Sequence, residues 1–385
     1  MSNILDILLN PQFKAEVFIE YLSHFRRGGL RPESKDSFTK DLLILKNKTS
    51  FSISEIDHII KKYNIIDIKQ DDLDLIMLNI QKDALKKSEK CWHPLASTSA
   101  CSKDKNGHVQ FIHAHTIQNN RILNLICEDS HVYGYSLNIS ETKPIKISRN
   151  DASTFSCFCN THDKIFDPIE NSDYKNTSEQ NFLFAYRAFI ASSVPKLAQY
   201  YSLDIDRQGI LDTEKNKEIF NGAIINSQYD IVTTEVFELD SFYPVSACSS
   251  FDLDFDFEGN PISHSEDRME CIYVTLFPTK KKTYFLLSYL TQDFKLYSQL
   301  GSQLKKRNNL KSDISVLVLA HVENIFYQPC YYKAVIQSQE TSIDKLMQQT
   351  QFDFVIHNEE DKKSKSISLT PKDYLSNKYN VGLFR

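Results

Sequence analysis

The sequence predicts an α+β protein in three parts. These are an N-terminal helical segment over residues 1–88, a central metal-binding module over residues 89–171, and a C-terminal α+β domain with an antiparallel sheet over residues 172–385. Three observations carry this reading. Apolar residues recur at helical spacing through the first part. Five of the eight Cys and six of the eleven His crowd between Cys91 and His162. Short alternating runs rich in Tyr and Phe, bounded by turn residues, mark the last part. With 385 residues, 41% hydrophobic and 25% charged, the chain has ordinary globular composition and length for two or three domains.

The first part reads as a small helical bundle or a partner-binding module. Asn10 can cap a helix with Pro11 at its first position, and Phe18, Tyr21, Leu22 and Phe25 share one face. Gly28 and Gly29 end that helix. Ser52 and Glu55 make a capping box ahead of Ile56, Ile59, Ile60 and Tyr63, and Leu73, Ile76, Met77 and Ile80 repeat the spacing. In the second part a strand over 108–113, a helix over 116–127 and a strand over 131–137 are expected, with 142–151 as a loop. In the third part Thr177 and Gln180 can cap a helix carrying Phe182, Ala185, Tyr186 and Phe189, which Pro195 is expected to interrupt. Residues 231–239 alternate like a strand. Residues 271–277 and 284–290 read as a hairpin around a lysine-bearing turn, and 314–320 as a buried strand.

Bulk properties exclude several classes. Net charge is −5, and no part is a basic domain, so nucleic-acid contact would need a local patch. No apolar run reaches the length of a membrane span. The start lacks a charged, then apolar, leader, and the unevenly spaced Cys read as reduced thiols or metal ligands. Together these predict a cytoplasmic protein with no membrane partner. Gly is only 9 of 385 residues, and neither a dinucleotide fingerprint nor a phosphate-binding P-loop occurs. No Gly-x-Ser-x-Gly elbow supports hydrolase chemistry of that kind.

The chemistry sits in the Cys/His cluster. Thiolate and imidazole are the donors zinc prefers, and a structural site takes four in a tetrahedron. Cys91, Cys101, Cys159 and His162 make a Cys3His set. The Cys-x-x-His step is the specific half, because a two-residue turn lets both side chains face one ion. The Cys91–Cys101 interval is wider than usual, and Cys157 and His93 are alternative ligands. The other reading is a set of buried apolar Cys and hydrogen-bonded His.

The order of these residues resembles the HNH, or ββα-metal, nucleases built on a treble-clef zinc fold. Ala114-His115-Thr116-Ile117 is similar to the Ala-His-Ile form of the first motif. Phe158-Cys159-Asn160-Thr161-His162-Asp163, running on to Phe166-Asp167, is similar to the closing motif. The span also resembles a group of bacterial proteins with the same Cys/His arrangement. The resemblance implies a treble-clef-like module with structural zinc, and a metal-dependent nuclease that cleaves phosphodiester bonds, in a setting such as anti-phage defence. It implies nucleic acid, DNA in the first place, as partner. His115 would be the general base, a Mg²⁺ or Mn²⁺ ion would polarise the phosphate, and Asp163 would help hold it. His113 would share a face with His115 in an extended strand and add a second ligand. The chain departs from the pattern at Ala114, where many members carry an acid. Ser153, Thr154 and Ser156 stand where the middle Asn belongs. The alternative reading is therefore a non-catalytic zinc-binding sensor or interaction protein, with a protein partner or a second copy of itself.

Two other features stand out. Phe251 to Gly259 alternates strictly, with four carboxylates on one face. It reads as an edge strand guarded by charge, or as an acidic surface that mimics nucleic acid. A calcium loop would need Gly where Phe257 stands. Lys280–Lys282 and Lys305-Lys306-Arg307 read as solvated charge or phosphate contacts.

Overall fold

The computed structural model describes residues 90–135, 144–203, 207–265, 267–350, 354–357, 364–367 and 375–385. The helices read from residues 1–88 lie outside the described residues. Nearly all that is described belongs to one compact unit, made of Ser88–Ser136, Glu141–Leu197 and Gln208–Arg385.

The protein is α+β with antiparallel sheets. In chain order the strands are β1 (Phe111–His115), β2 (His131–Gly134), β3 (Ile145–Ser148), β4 (Thr154–Cys159), β5 (Val232–Leu239), β6 (Val245–Phe251), β7 (Ile272–Pro278), β8 (Thr283–Leu290), β9 (Ile325–Tyr327), β10 (Phe354–His357) and β11 (Ser364–Ile367). β1 pairs β4, β10 pairs β11, and a seven-stranded sheet runs β3-β2-β9-β6-β7-β8-β5. The main helices are α1 (Ser178–Leu203), α2 (Arg207–Asn226), α3 (Leu310–His321) and α4 (Glu340–Thr350).

The hairpin β7–β8 forms as expected. Its turn closes with the Thr279 amide donating to the Lys282 carbonyl at 2.7 Å. Register pairs Ile272 with Tyr289, Val274 with Leu287 and Leu276 with Phe285. These six residues face one core, shared with Ile314, Leu317 and Leu346 from α3 and α4. The opposite face is also covered. Phe277 stacks on Phe184 of α1 at 4.8 Å, and Tyr273 meets Phe220 of α2 edge-on at 5.3 Å. Helices on both faces explain why every residue of β6 and β7 is buried.

Several expectations are corrected. Residues 314–320 are not a strand but the middle of α3, which Asn309 caps by accepting from the Ser312 amide. Asp313 to Ala320 are all buried, and a helix apolar on every side carries no period to read. Pro195 does not interrupt α1. Val194 and Leu197 are buried beside it, and their packing outweighs the one hydrogen bond Pro forgoes. The loop expected at 142–151 contains β3, whose Ile-Lys-Ile run pairs with β2. The helix expected over 116–127 is shorter, a π-helical turn Asn119–Leu123 followed by Asn124–Ile126. The first strand sits at 111–115 and not 108–113.

The alternating run after β6 is no ladder strand. Leu253 and Phe257 point inward and Asp252 and Asp254 outward, as alternation requires. Asp256 turns the chain back, because its carboxylate accepts from the Glu258 and Asn260 amides at 3.0 and 2.8 Å.

β2 and β3 lie inside the segment read as a central module, yet they are strands of the large sheet. Tyr133 pairs with Tyr327 and Gly134 with Phe326 of β9. The sheet thus crosses the boundary drawn at residue 171. Gly134 is the residue that permits the approach: a Cβ there would collide with the Phe326 ring and stand 3.2 Å from the Ile325 carbonyl oxygen.

Candidate metal centre

Three local structures bring the four predicted ligands together. The nine residues between Cys91 and Cys101 fold into two tight turns, in which the Ala96 amide donates to the His93 carbonyl at 2.9 Å and the Cys101 amide to the Ser97 carbonyl at 3.0 Å. This compaction closes the wide interval. Cys159 is the last residue of β4, and the His162 amide donates to its carbonyl at 3.0 Å, so the turn places both side chains on one side. Trp92 anchors the first ligand: its amide donates to the Cys157 carbonyl at 2.9 Å, and its ring packs on Phe189 of α1 at 6.0 Å.

The donors converge. His162 Nδ1 lies 3.4 Å from Cys91 Sγ, 3.6 Å from Cys101 Sγ and 3.2 Å from Cys159 Sγ. All four donor atoms lie within 4.8 Å of one another, and the cysteines are free thiols. A tetrahedral zinc, with bonds of about 2.3 Å to sulfur and 2.0 Å to nitrogen, separates sulfur from nitrogen by about 3.5 Å. The donor set and its spacing fit zinc. Cys101, Cys159 and His162 are buried and Cys91 is half-buried. Burial raises the Cys159 thiol, but the amides of Ser102, His162 and Thr161 outweigh it and bring the thiol down to about 6. Burial, with the neighbouring sulfurs, pushes Cys91 up to about 12. Three thiols this close are stable as thiolates only around a cation.

The alternative ligands do other work. His93 stacks on His162 with ring centres 4.3 Å apart, and burial lowers it to about 4. It orients the ligand ring without joining the set. Cys157 is buried within β4, and burial raises its thiol far above the ordinary value. His108 and His131 lie toward the surface, held by Asp104 at 3.7 Å and by the Asp129 carbonyl at 2.6 Å.

His115 ends β1 and is half-buried. Its Nε2 meets the Arg149 carbonyl at 3.2 Å. A carbonyl only accepts, so Nε2 carries the proton and Nδ1 keeps its lone pair. Burial holds the ring below the ordinary imidazole value, although the Arg149 carbonyl opposes this, and the Arg187 charge lowers it further. His113 is exposed. Between Ile112 and Ala114 the partner on β4 jumps from Phe158 to Phe155, so β4 carries an extra residue opposite His113. Asp163 follows His162 directly. Burial pushes its carboxyl up to about 6, against the pull of Arg187, and its Oδ1 is buried with no hydrogen-bond partner among the described residues. Among the described residues, His113, His115 and Asp163 form no further metal-ligand cluster.

Two residues that the sequence reading missed stand beside them. Arg187 of α1 is buried, pairs with Glu170 and covers the Phe166 ring at 4.3 Å. Its charge and that of Glu170 reach both His115 and Asp163. The signal available was a lone Arg inside the buried face Phe182–Phe189, which alone says nothing of partners.

A second convergence holds Asp252, Asp254 and His264. Both ring nitrogens of His264 already face acceptors, the Glu270 carboxylate at 3.1 Å and the Leu253 carbonyl at 2.9 Å. Such a ring is an imidazolium partner, not a metal ligand. Half of the residues in the basic runs are paired too: Lys282 with Glu238, Lys305 with Glu235 and Arg307 with Asp313. Among the described residues no helix is long and apolar enough to cross a membrane. No protein-family model matches the chain, and comparison with curated proteins and with solved structures finds no match.

Proposed function

We propose that this protein is a zinc-stapled phosphodiesterase of the HNH type, with His115 as general base. One observation carries the reading. The Arg149 carbonyl fixes His115 as the Nε2–H tautomer, and burial keeps the ring neutral near pH 7. A neutral, oriented ring whose Nδ1 has no partner among the described residues is what a general base requires. The treble-clef reading is supported by a folded Cys loop, the antiparallel β1–β4 pair, the Cys-x-x-His turn that ends β4 and the short helical turn that follows, with β2 and β3 inserted between β1 and β4. Cys91, Cys101, Cys159 and His162 would hold the structural zinc.

In this mechanism Nδ1 of His115 takes a proton from water as the water oxygen bonds to phosphorus and the bond to the leaving oxygen breaks. Asp163, with its unpartnered buried oxygen, would supply one ligand to a Mg²⁺ or Mn²⁺ ion, which stabilises charge on the phosphate when bound. His113 is not assigned a role, because it is exposed on β1 and joins no ligand cluster among the described residues.

A second reading has its own observation. Arg187 already supplies a buried cation near Asp163 and Glu170, as a non-catalytic zinc module would use to neutralise them. Cleavage assays separate the two. Purified protein is incubated with plasmid DNA, single-stranded DNA and RNA, with Mg²⁺ or Mn²⁺. The catalytic reading expects cleavage that His115→Ala reduces by roughly 10²–10⁴. Absence of cleavage on every substrate, or equal cleavage by His115→Ala, leaves the zinc-stapled binding protein. Phage challenge of cells carrying wild type or His115→Ala tests the defence setting.

A further inference from the structure

The strand that ends in His115 is fastened from the far half of the chain. Thr116, next in sequence, is buried. Its amide donates to the Ser153 carbonyl at 2.8 Å, and its hydroxyl meets Ser153 Oγ at 2.5 Å. Ser153 Oγ also accepts from the Ile117 amide at 3.0 Å. Ser153 holds φ at 59°, a left-handed conformation that costs a non-glycine residue about 1 kcal/mol or more and turns the loop so that these bonds can form. The same loop presents the Arg149 carbonyl to His115.

The last member is Asn324, just before β9. Its Nδ2 donates to Thr116 Oγ1 at 3.1 Å and to the Cys248 carbonyl at 3.2 Å, and its own carbonyl accepts from the Cys248 amide at 3.1 Å. Asn324 is thereby fixed at the end of the β6–β9 ladder, where Ala247 pairs with Ile325. An amide nitrogen only donates, so Thr116 Oγ1 accepts from Asn324, and the same hydroxyl reaches the Ser153 carbonyl at 3.3 Å as a donor. Thr116 thus joins the large sheet to the loop that sets His115.

We propose that Asn324 is a positioning residue, through which the C-terminal sheet holds His115 in its working tautomer and orientation by way of Thr116 and Ser153. The proposal rests on the reading of His115 as general base, and its test keeps the two apart. The experiment uses the full zinc-loaded chain carrying Asn324→Ala, Asn324→Asp, Thr116→Val or Thr116→Ser. Nitrogen-15 spectra, with His115 assigned by loss of its signals in His115→Ala, report the tautomer without any need for turnover. Cleavage assays report kcat and KM.

The expected result is that Asn324→Ala, Asn324→Asp and Thr116→Val move His115 from a fixed Nε2–H form to an exchanging mixture. Thr116→Ser, which keeps the hydroxyl, should match wild type. Where cleavage is measurable, kcat falls roughly tenfold to a hundredfold with KM nearly unchanged, and zinc content stays the same. An unchanged His115 spectrum in Asn324→Asp and Thr116→Val, both nearly isosteric, overturns the proposal even if the protein is a nuclease. A changed spectrum in a chain that cuts nothing upholds the positioning role and removes only the nuclease reading.

Discussion

At the scale of single residues the four clustered donors should be separable from their neighbours. Cys159→Ala removes a ligand, so metal analysis should find zinc reduced from about one per chain and a melting temperature lowered by many degrees, since structural zinc binding feeds directly into folding. Cys157→Ala, two residues away and buried in apolar surroundings, should keep full zinc and cost only about 1–2 kcal/mol of cavity. Equal zinc loss in both would sink the assigned ligand set. His264 carries a pH prediction. Although burial lowers it, the Leu253 carbonyl and Glu270 raise it above the ordinary imidazole value. Its stabilising contribution is therefore complete below the unfolded pKa of about 6.5 and declines as pH rises through the higher folded value. Urea midpoints at pH 5.5 and 8.5 should differ more in wild type than in His264→Ala. A pH dependence that survives the substitution unchanged would place its cause elsewhere.

At the scale of elements the join between β2 and β9 depends on Gly134. Gly134→Ala forces a Cβ into the Phe326 ring, and overpacking of this kind costs roughly 1–3 kcal/mol. Hydrogen exchange should show the β2 amides losing protection while those of β7 and β8 keep theirs. Uniform loss would mean that the strand is no separate attachment. Elements with local signals were legible beforehand. The cap of α1 is in the sequence, and the Gln180 amide does donate to Thr177 Oγ1 at 3.2 Å. The hairpin β7–β8 is announced by its turn. α3 was misread because eight successive buried residues erase the polar face that distinguishes helix from strand. β3 was missed because four residues beside a Pro are too short to declare a period.

At the scale of the whole molecule the Cys/His segment is not self-contained. β2 completes its hydrogen bonds only on β9 of the large sheet, and the β1–β4 pair packs Phe158 against Tyr186 of α1 at 6.3 Å. Residues 89–171 produced alone with zinc should therefore bind metal yet lack a dispersed, cooperative fold, whereas the full chain melts cooperatively. A well-dispersed amide spectrum from that fragment would show that its strands need no partner sheet.

The sequence by itself picked out the four Cys and His residues that the fold brings together, because affinity for a metal follows residue type and the Cys-x-x-His turn is local. It also determined the α+β class, the Thr177 cap of α1 and the β7–β8 hairpin with its turn. Tertiary structure decided the rest. Two turns close the Cys91–Cys101 interval, a carbonyl 34 residues away selects the His115 tautomer, and Arg187 brings a buried charge to Asp163. The physical reason is range. Caps, turns and donor types act over a few residues and leave a pattern in sequence, whereas a buried charge or a fixed tautomer depends on which distant groups packing brings to the same place.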